Sequence, residues 1–166
     1  MGSNNGKAES TAKRLDVVVM AFQWFTMTLP NDLADCLVLN TVASARSLLK
    51  RWDAKLKPYG VTVQQFFLLA AIRFLPEQPV MTLAESIALD RTSLTRNLDL
   101  LEKKGLVQRI PGLARSRRVC ELTSAGGLLL NQLLAAWPEA RMSSLEGISE
   151  EEAEIYLRVV RRLATQ

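Results

Sequence analysis

The spacing of apolar residues predicts a mainly α-helical protein with one small β-hairpin. Apolar side chains recur every three or four residues over 31–57 and 123–138, and residues 63–74 are apolar on almost every face. Ser149, with Glu152 three residues later, is the pattern of a capping box and predicts the start of a last helix, ending near residue 163. We therefore expect helices towards both ends of the chain around a compact core.

Prolines mark several boundaries between these elements. Pro138 is expected to kink or end the long helix that Thr123 caps. Pro76 and Pro79 bracket a loop, after which Val80-Met81 is expected to supply a third short strand beside the hairpin.

Residues 82–126 contain the most specific order of elements in the chain. Two helical patterns lie three or four residues apart, and two β-prone runs follow at once. Asp90 precedes the second helix, which is expected over Arg91 to Lys104, and can accept hydrogen bonds from its first free amides. Gly105 suits the left-handed end of that helix. A helix, a tight turn, a helix and a hairpin are the parts of a winged DNA reader.

The polar face of the second helix is rich in short hydroxyl side chains and also carries long arginine side chains. Such side chains suit close approach to base edges in the major groove. The DNA-contacting residues predicted on this helix are Arg91, Thr92, Ser93, Thr95 and Arg96. An ordinary solvated helix face is the alternative. Asp99 lies near this face, where it would repel phosphate unless it pairs with a cation such as Lys103.

A basic hairpin is expected directly after this helix. Val107 to Ile110 and Val119 to Leu122 are short β-prone runs, separated by Pro111-Gly112. The arginines on or between these runs are Arg109, Arg115, Arg117 and Arg118. Such a cationic finger can follow the DNA backbone or enter a narrow minor groove. A charged surface loop is the alternative.

The sequence resembles the MarR family of winged-helix transcriptional regulators over residues 32–165. The segments that carry the resemblance are Leu83-Ala84-Glu85, Leu89-Asp90-Arg91-Thr92-Ser93-Leu94-Thr95-Arg96-Asn97-Leu98, Leu100-Leu101-Glu102, Lys104-Gly105-Leu106-Val107, Leu122-Thr123 and Gly126. Upstream, the residues that match the family's link into its second helix are Leu56, Pro58, Gly60, Val61, Thr62 and Gln65-Phe66.

The hairpin tip departs from the family pattern. The family usually places an Asp and an Arg just before the final strand, and here Ala114 stands where the Asp is expected. The carboxylate that would orient the arginine is therefore missing. Arg115 and Arg117 both remain candidates for entering the minor groove.

The resemblance implies a winged helix-turn-helix core with N- and C-terminal dimerisation helices. The expected division is an apolar arm over 1–30, a dimerisation helix over 31–57, a DNA-binding lobe over 58–122 and C-terminal dimerisation helices over 123–166. A homodimer would present two recognition helices to a pseudo-palindromic operator. Helices that fold back on their own subunit are the alternative.

The resemblance also implies a repressor released by a small ligand, often an aromatic or phenolic acid. Such a ligand would bind between the DNA-binding lobe and the dimerisation helices. A carboxylate ligand needs a cation and a flat apolar wall, for which the candidates are Arg46, Trp52, Phe66 and Phe67. A plain core position is the alternative for Phe66 and Phe67.

Charge and composition agree with a small DNA-binding protein. The 166 residues carry a formal net charge of +4, which by itself does not establish nucleic-acid binding. The distribution is more informative, because residues 103–118 contain six cations and no acid, whereas 146–154 are strongly acidic. The chain has no histidine, which removes the usual zinc site and histidine-based triads. We expect no metal, no cofactor and no enzyme activity.

The two cysteines, Cys36 and Cys120, are too few and too far apart in sequence for a disulfide framework. With no signal-peptide pattern, we expect a cytoplasmic protein. Some members of the resembled family sense peroxide through a first-helix cysteine, which makes Cys36 a redox candidate, although no Lys or Arg lies within a turn of it. A structural cysteine is the alternative. A winged-helix module that binds protein instead of DNA is a further alternative.

Residues 1–30 do not fit the family pattern. A polar tail precedes an apolar run over 15–29, which is too short to span a bilayer. We expect an arm that packs on the partner subunit or covers a pocket. A natural start of translation at Met20 or Met27 is the alternative.

Overall fold

The computed structural model describes Met20 and residues 27–111, 118–142, 144–145 and 147–165. These residues divide into two compact units, one ending at Ala54 and the other beginning at Lys55. The predicted arm over 1–30 lies mostly outside the described residues. Among the described helices, none combines the length and the apolar character needed to cross a membrane.

The first unit contains a short helical turn, Asn31–Ala34, followed by all but the last two residues of helix α1, Leu37–Leu56. A single helix was expected here, and the break at residues 35–36 corrects that expectation. Asn40 explains the break, because its side-chain amide donates to the carbonyl oxygens of Ala34 at 2.7 Å and of Cys36 at 2.9 Å. The carbonyl oxygen of Ala34 gains a side-chain donor in this way, whereas that of Cys36 also accepts from the backbone N–H of Asn40 at 3.1 Å.

In the second unit, a 3-10 turn, Lys57–Tyr59, and helix α2, Val63–Phe74, follow the end of α1. A capping box between Thr62 and Gln65 starts α2. Helix α3, Val80–Ser86, and helix α4, Arg91–Lys103, follow, and both pack against α2. The helix predicted over 63–74 is confirmed, and so is the second helix of the pair, which is one residue shorter than expected.

The wing is an antiparallel pair of strands, β1 (Val107–Pro111) and β2 (Arg118–Leu122). The expected third strand at Val80-Met81 is wrong, because those residues already begin α3. Only Pro79 pairs with β2, through a single bridge to Val119. Proline has no N–H to donate to a ladder, and the backbone becomes helical at the next residue.

Helix α5, Ser124–Met142, and helix α6, Glu150–Ala164, complete the chain. The Thr123 hydroxyl accepts a hydrogen bond from the N–H of Gly126 at 3.1 Å, as expected for a cap. Pro138 does not end α5, which continues for four more residues. The capping box of Ser149 and Glu152 at the start of α6 is confirmed.

The core of the second unit is built around α2, which contacts α3, α4, α5 and β2. The largest side chains that are fully buried there are all leucines: Leu68, Leu69, Leu83, Leu94, Leu98, Leu101, Leu130 and Leu133. Contributions from four helices to one apolar cluster fix the position of α4 within the unit.

Helices α3 and α4 end in the same hydrogen-bonded motif. At the end of α3, Ala88 has a φ of 52°, its N–H donates to the carbonyl of Glu85, and the N–H of Leu89 donates to the carbonyl of Ala84. At the end of α4, Gly105 has the corresponding left-handed conformation, with a φ of 68°. Both ends are Schellman motifs, and the first sets the tight turn between the two helices.

Candidate nucleic-acid interface

The N-terminus of α4 is held by Asp90 and Ser93. One carboxylate oxygen of Asp90 accepts from the Ser93 N–H at 2.9 Å, and the other accepts from the Ser93 hydroxyl at 2.7 Å. The hydroxyl bond and then the backbone bond hold the pKa of Asp90 below its usual value of 3.8. The Ser93 hydroxyl, expected at base edges, is therefore engaged in capping the helix.

The inner face of α4 is closely packed. Leu94, Leu98 and Leu101 are buried, as their helical spacing predicts. Asn97 is also buried, and its amide donates to the carbonyl oxygen of Ser93 at 2.9 Å. These contacts fix the rotation of the helix about its own axis, and so determine which side chains point outward.

The outer face of α4 forms an open depression with a volume of about 560 Å³. The residues around it are Arg91, Thr92, Thr95, Arg96, Asp99 and Leu100. The structure thus brings together four of the five residues predicted on this helix, all of them exposed. The Thr95 hydroxyl donates to the carbonyl of Arg91 at 2.9 Å, which turns its oxygen towards the helix backbone. The contribution of Leu100 was not foreseen from the sequence.

Arg109 on β1 pairs with two carboxylates of α4. Its guanidinium donates to Asp99 at 2.5 Å and to Glu102 at 2.8 Å. The hydrogen bond to Asp99 raises the pKa of Arg109, so the guanidinium stays charged. Asp99 was expected to pair with Lys103, and the structure gives it a partner on another element instead.

Lys104 ties the end of α4 to the segment before α2. Its ammonium group donates to the carbonyl oxygen of Gly60 at 2.6 Å and to the Gln65 side chain at 3.2 Å. The sequence placed this cation only at the end of α4. A contact across about 40 positions leaves no local signal in the sequence.

Of the remaining wing arginines, Arg118 is among the described residues. Arg118 lies in β2, where its backbone pairs with Pro111. Arg115 and Arg117 lie outside the described residues, so the choice of the arginine that enters the minor groove stays a prediction.

The four predicted ligand-binding residues occupy both units. On α1, Arg46 is exposed and Trp52 is half-buried. On α2, Phe66 is buried whereas Phe67 is 37% exposed, so the plain-core alternative suits Phe66 better. The ring centre of Trp137 on α5 lies 4.7 Å from that of Phe66 and 6.2 Å from that of Phe67. The contact of Trp137 with these two rings was not predicted from the sequence.

Both cysteines are free thiols. Cys36 is half-buried at the break before α1, whereas Cys120 is buried in β2. Burial raises the pKa of the Cys120 thiol, which disfavours the reactive thiolate. Within the described part of the chain, no group of three or more His, Cys, Asp or Glu side chains is placed to hold a metal ion.

Two helices joined by a tight turn, followed by a two-stranded wing, define a winged-helix DNA-binding protein. Comparison with known proteins agrees with this architecture. The sequence model of the MarR family matches residues 61–118, which cover α2 to the start of β2. Residues 61–118 are thus identified as a MarR-family winged-helix segment.

Several solved structures of transcriptional regulators resemble nearly four fifths of the chain. MosR from M. tuberculosis, in complex with DNA, is 28% identical with a TM-score of 0.69, over 79% of this chain and 95% of that one. A cysteine-to-serine variant of MarR from E. coli, complexed with operator DNA, is 20% identical with a TM-score of 0.72, over 80% and 96%. PcaV from Streptomyces coelicolor, in complex with its natural ligand, is 20% identical with a TM-score of 0.67, over 78% and 95%.

Proposed function

We propose that the protein is a repressor that binds a pseudo-palindromic operator as a homodimer and is released by a small aromatic or phenolic acid. The observation that carries the proposal is the exposed depression on α4, where two arginines and two threonines lie together. Arginine suits the acceptors of guanine, and threonine suits the thymine methyl group. The packed inner face of the helix holds this outer surface in place.

The homodimer is supported by α6. Its exposed apolar side chains are Ile155, Tyr156, Leu157, Val159 and Leu163. Its first turn carries Glu150, Glu151 and Glu152, and its last turn carries Arg161 and Arg162. An antiparallel α6 from a second copy would cover the apolar side chains and place each acidic end beside a basic end. A twofold arrangement of this kind also duplicates α4 for two half-sites.

The ligand is supported by the aromatic cluster of Phe66, Phe67 and Trp137, which offers a flat apolar wall. Arg46 and Trp52, on α1, stay sequence-based candidates for ligand contacts. The PcaV structure, solved with its natural ligand, supports ligand control in a protein of this fold. A ligand can release DNA only if it binds the free conformation more tightly than the DNA-bound one.

Selection of bound duplexes from a random pool at low ionic strength tests the DNA-binding function. We expect enrichment of an inverted repeat whose half-sites are about one helical turn apart. Failure to enrich any sequence, together with a monomeric protein, would contradict the proposal. Binding of proteins but of no duplex would instead favour the protein-interaction alternative.

Ligand control is tested on the selected duplex. Benzoate and salicylate are expected to release the protein, whereas acetate at the same concentration is a control without the ring. Release by none of the aromatic acids, or equal release by acetate, would contradict this part of the proposal.

Arg96→Ala tests the base-reading role of α4. The variant is expected to lose about 1–3 kcal/mol of binding free energy and to relax specificity at one base position. Arg141→Ala, at the far end of α5, removes the same charge from an exposed position and serves as control. Equal losses on selected and random duplexes would show that Arg96 reads no base.

A further inference from the structure

The DNA-facing side of α4 carries negative charge as well as positive charge. Asp99 lies in the same depression as Arg91 and Arg96, and its side chain is 57% exposed. Glu102 is one turn further along the same face, with 41% of its side chain exposed. Two uncompensated carboxylates there would meet the phosphates of any duplex that α4 approaches.

Arg109 contacts both of these carboxylates. Its side chain is 23% exposed, less than either acid, and its two terminal nitrogens donate to Asp99 and Glu102 at 2.5 and 2.8 Å. Both terminal nitrogens of the guanidinium are therefore already engaged by carboxylates. This geometry does not favour Arg109 as a phosphate contact, the role that the sequence suggested.

We infer that Arg109 is a positioning residue that offsets one of the two negative charges of Asp99 and Glu102, so that the outer face of α4 can approach the DNA backbone. The local charge of the three groups is −1 with the arginine present and −2 without it. The planar guanidinium reaches both acids at once from β1, a geometry that a point charge reproduces less well. The inference rests on the proposed DNA-binding function.

Removing the charges of Asp99 and Glu102 distinguishes a shielding role of Arg109 from a phosphate contact. If Arg109 shields, Arg109→Ala should weaken operator binding at least about fivefold, because two carboxylates face the phosphates unpaired. Adding Asp99→Asn and Glu102→Gln to that variant removes the repulsion. The triple variant should then bind within about threefold of the unmodified protein, with the same dependence of affinity on salt, since no phosphate contact is lost.

The matched control corrects for the overall charge of the protein. Glu139 and Glu154 are exposed acids on α5 and α6. Glu139→Gln and Glu154→Gln, combined with Arg109→Ala, change net charge by the same amount but leave the α4 acids in place, so no recovery is expected. Arg109→Lys keeps the charge and should retain most of the affinity.

The outcomes distinguish this inference from the function on which it depends. If the unmodified protein binds no duplex, the proposed function and the inference fall together. If it binds, but the triple variant stays as weak as Arg109→Ala, the shielding role is wrong. A salt slope that is shallower by about one in both variants would then identify Arg109 as a phosphate contact. Equal recovery in the control at Glu139 and Glu154 would also overturn the inference.

Discussion

Single side chains on α4 divide into those that hold the helix and those that face outward. Asp90 and Ser93 bind each other at the cap, and Asn97 is buried against the helix backbone. Thr92 and Arg96 are exposed and have no such structural role in the described contacts. Substitutions in the first group should change stability, and substitutions in the second group should change DNA recognition.

The Asp90 cap makes stability depend on pH. Its pKa is lower in the folded protein than the usual value of 3.8, so its contribution is fully present above that value and is lost as the pH falls through the folded pKa. Asp90→Asn keeps a capping oxygen without the charge. We expect its melting temperature to fall less steeply than that of the unmodified protein below pH 3.8.

Thermal melting between pH 5 and pH 2.5 measures this difference. Ser93→Ala removes the largest cause of the shift and keeps the backbone donor, so its pH dependence should lie between the two. Parallel curves for all three proteins would show that the cap contributes no pH dependence.

For single residues of α4, the helical period was enough to predict which side chains are exposed and which are buried. The exposure of Thr92, Thr95 and Arg96 follows from the leucine stripe on the opposite face. The predicted partner of Asp99 was wrong, because the i, i+4 pairing rule applies within one helix. It cannot anticipate a cation on the neighbouring strand.

Between elements, α5 begins where it touches the start of the wing. The Thr123 hydroxyl donates to the carbonyl of Gly105 at 2.6 Å, and the Thr123 N–H donates to the carbonyl of Leu106 at 3.1 Å. Gly126 lies so close that an added Cβ would be 1.9 Å from the carbonyl oxygen of Leu106. The helix and the wing can approach this closely only without a side chain at that position.

Gly126→Ala should therefore destabilise the protein. The obstacle is backbone and cannot rotate away, so we expect a loss of about 1–3 kcal/mol in the free energy of unfolding. Urea unfolding measures this loss. Gly127→Ala is the matched control, because the nearest atom to its new Cβ is the end of the Arg73 side chain at 3.4 Å. The control should gain up to about 1 kcal/mol from helix propensity, and equal effects at both positions would contradict the argument.

Elements whose ends are encoded locally were predicted well. Caps at Asp90, Thr123 and Ser149 use side chains within three residues of the amides that they bind. The break before α1 was missed because Asn40 acts on carbonyls up to six residues before it. Periodicity alone gives no sign of such an interruption.

For the molecule as a whole, the apolar surface of α6 has the largest consequence. In the proposed homodimer Val159 lies on the covered face, so Val159→Asp should convert the dimer to a monomer and abolish binding to the two-half-site duplex. Sedimentation at micromolar concentration measures the mass. Gln132→Asp adds a charge at an exposed position of α5 and should leave the dimer intact. If Val159→Asp has the same mass as the unmodified protein, α6 does not form the dimer interface.

At the scale of the molecule, the class of fold was predicted from the sequence, because local apolar spacing and turn residues indicate the order of helices and strands. The packing between elements was harder to predict from the sequence. Two contacts join residues about 40 positions apart: the β-bridge between Pro79 and Val119, and the hydrogen bond from Lys104 to the carbonyl of Gly60. Neither produces a periodic pattern in the sequence. The departure at Ala114 lies outside the described residues, and so its effect on the wing stays a prediction.

The left-handed Ala88 limits which sequences this turn can accept over evolutionary time. A side chain in that conformation costs about 1–2 kcal/mol, and the two hydrogen bonds of the α3 end hold the backbone there nonetheless. Glycine, asparagine or aspartate at position 88 would fit the same backbone with less strain. Valine, isoleucine or threonine would collide with it, and would change the angle at which α4 leaves α3. Drift at position 88 is therefore confined to a narrow set of residues, although the residue itself touches no ligand in the proposed mechanism.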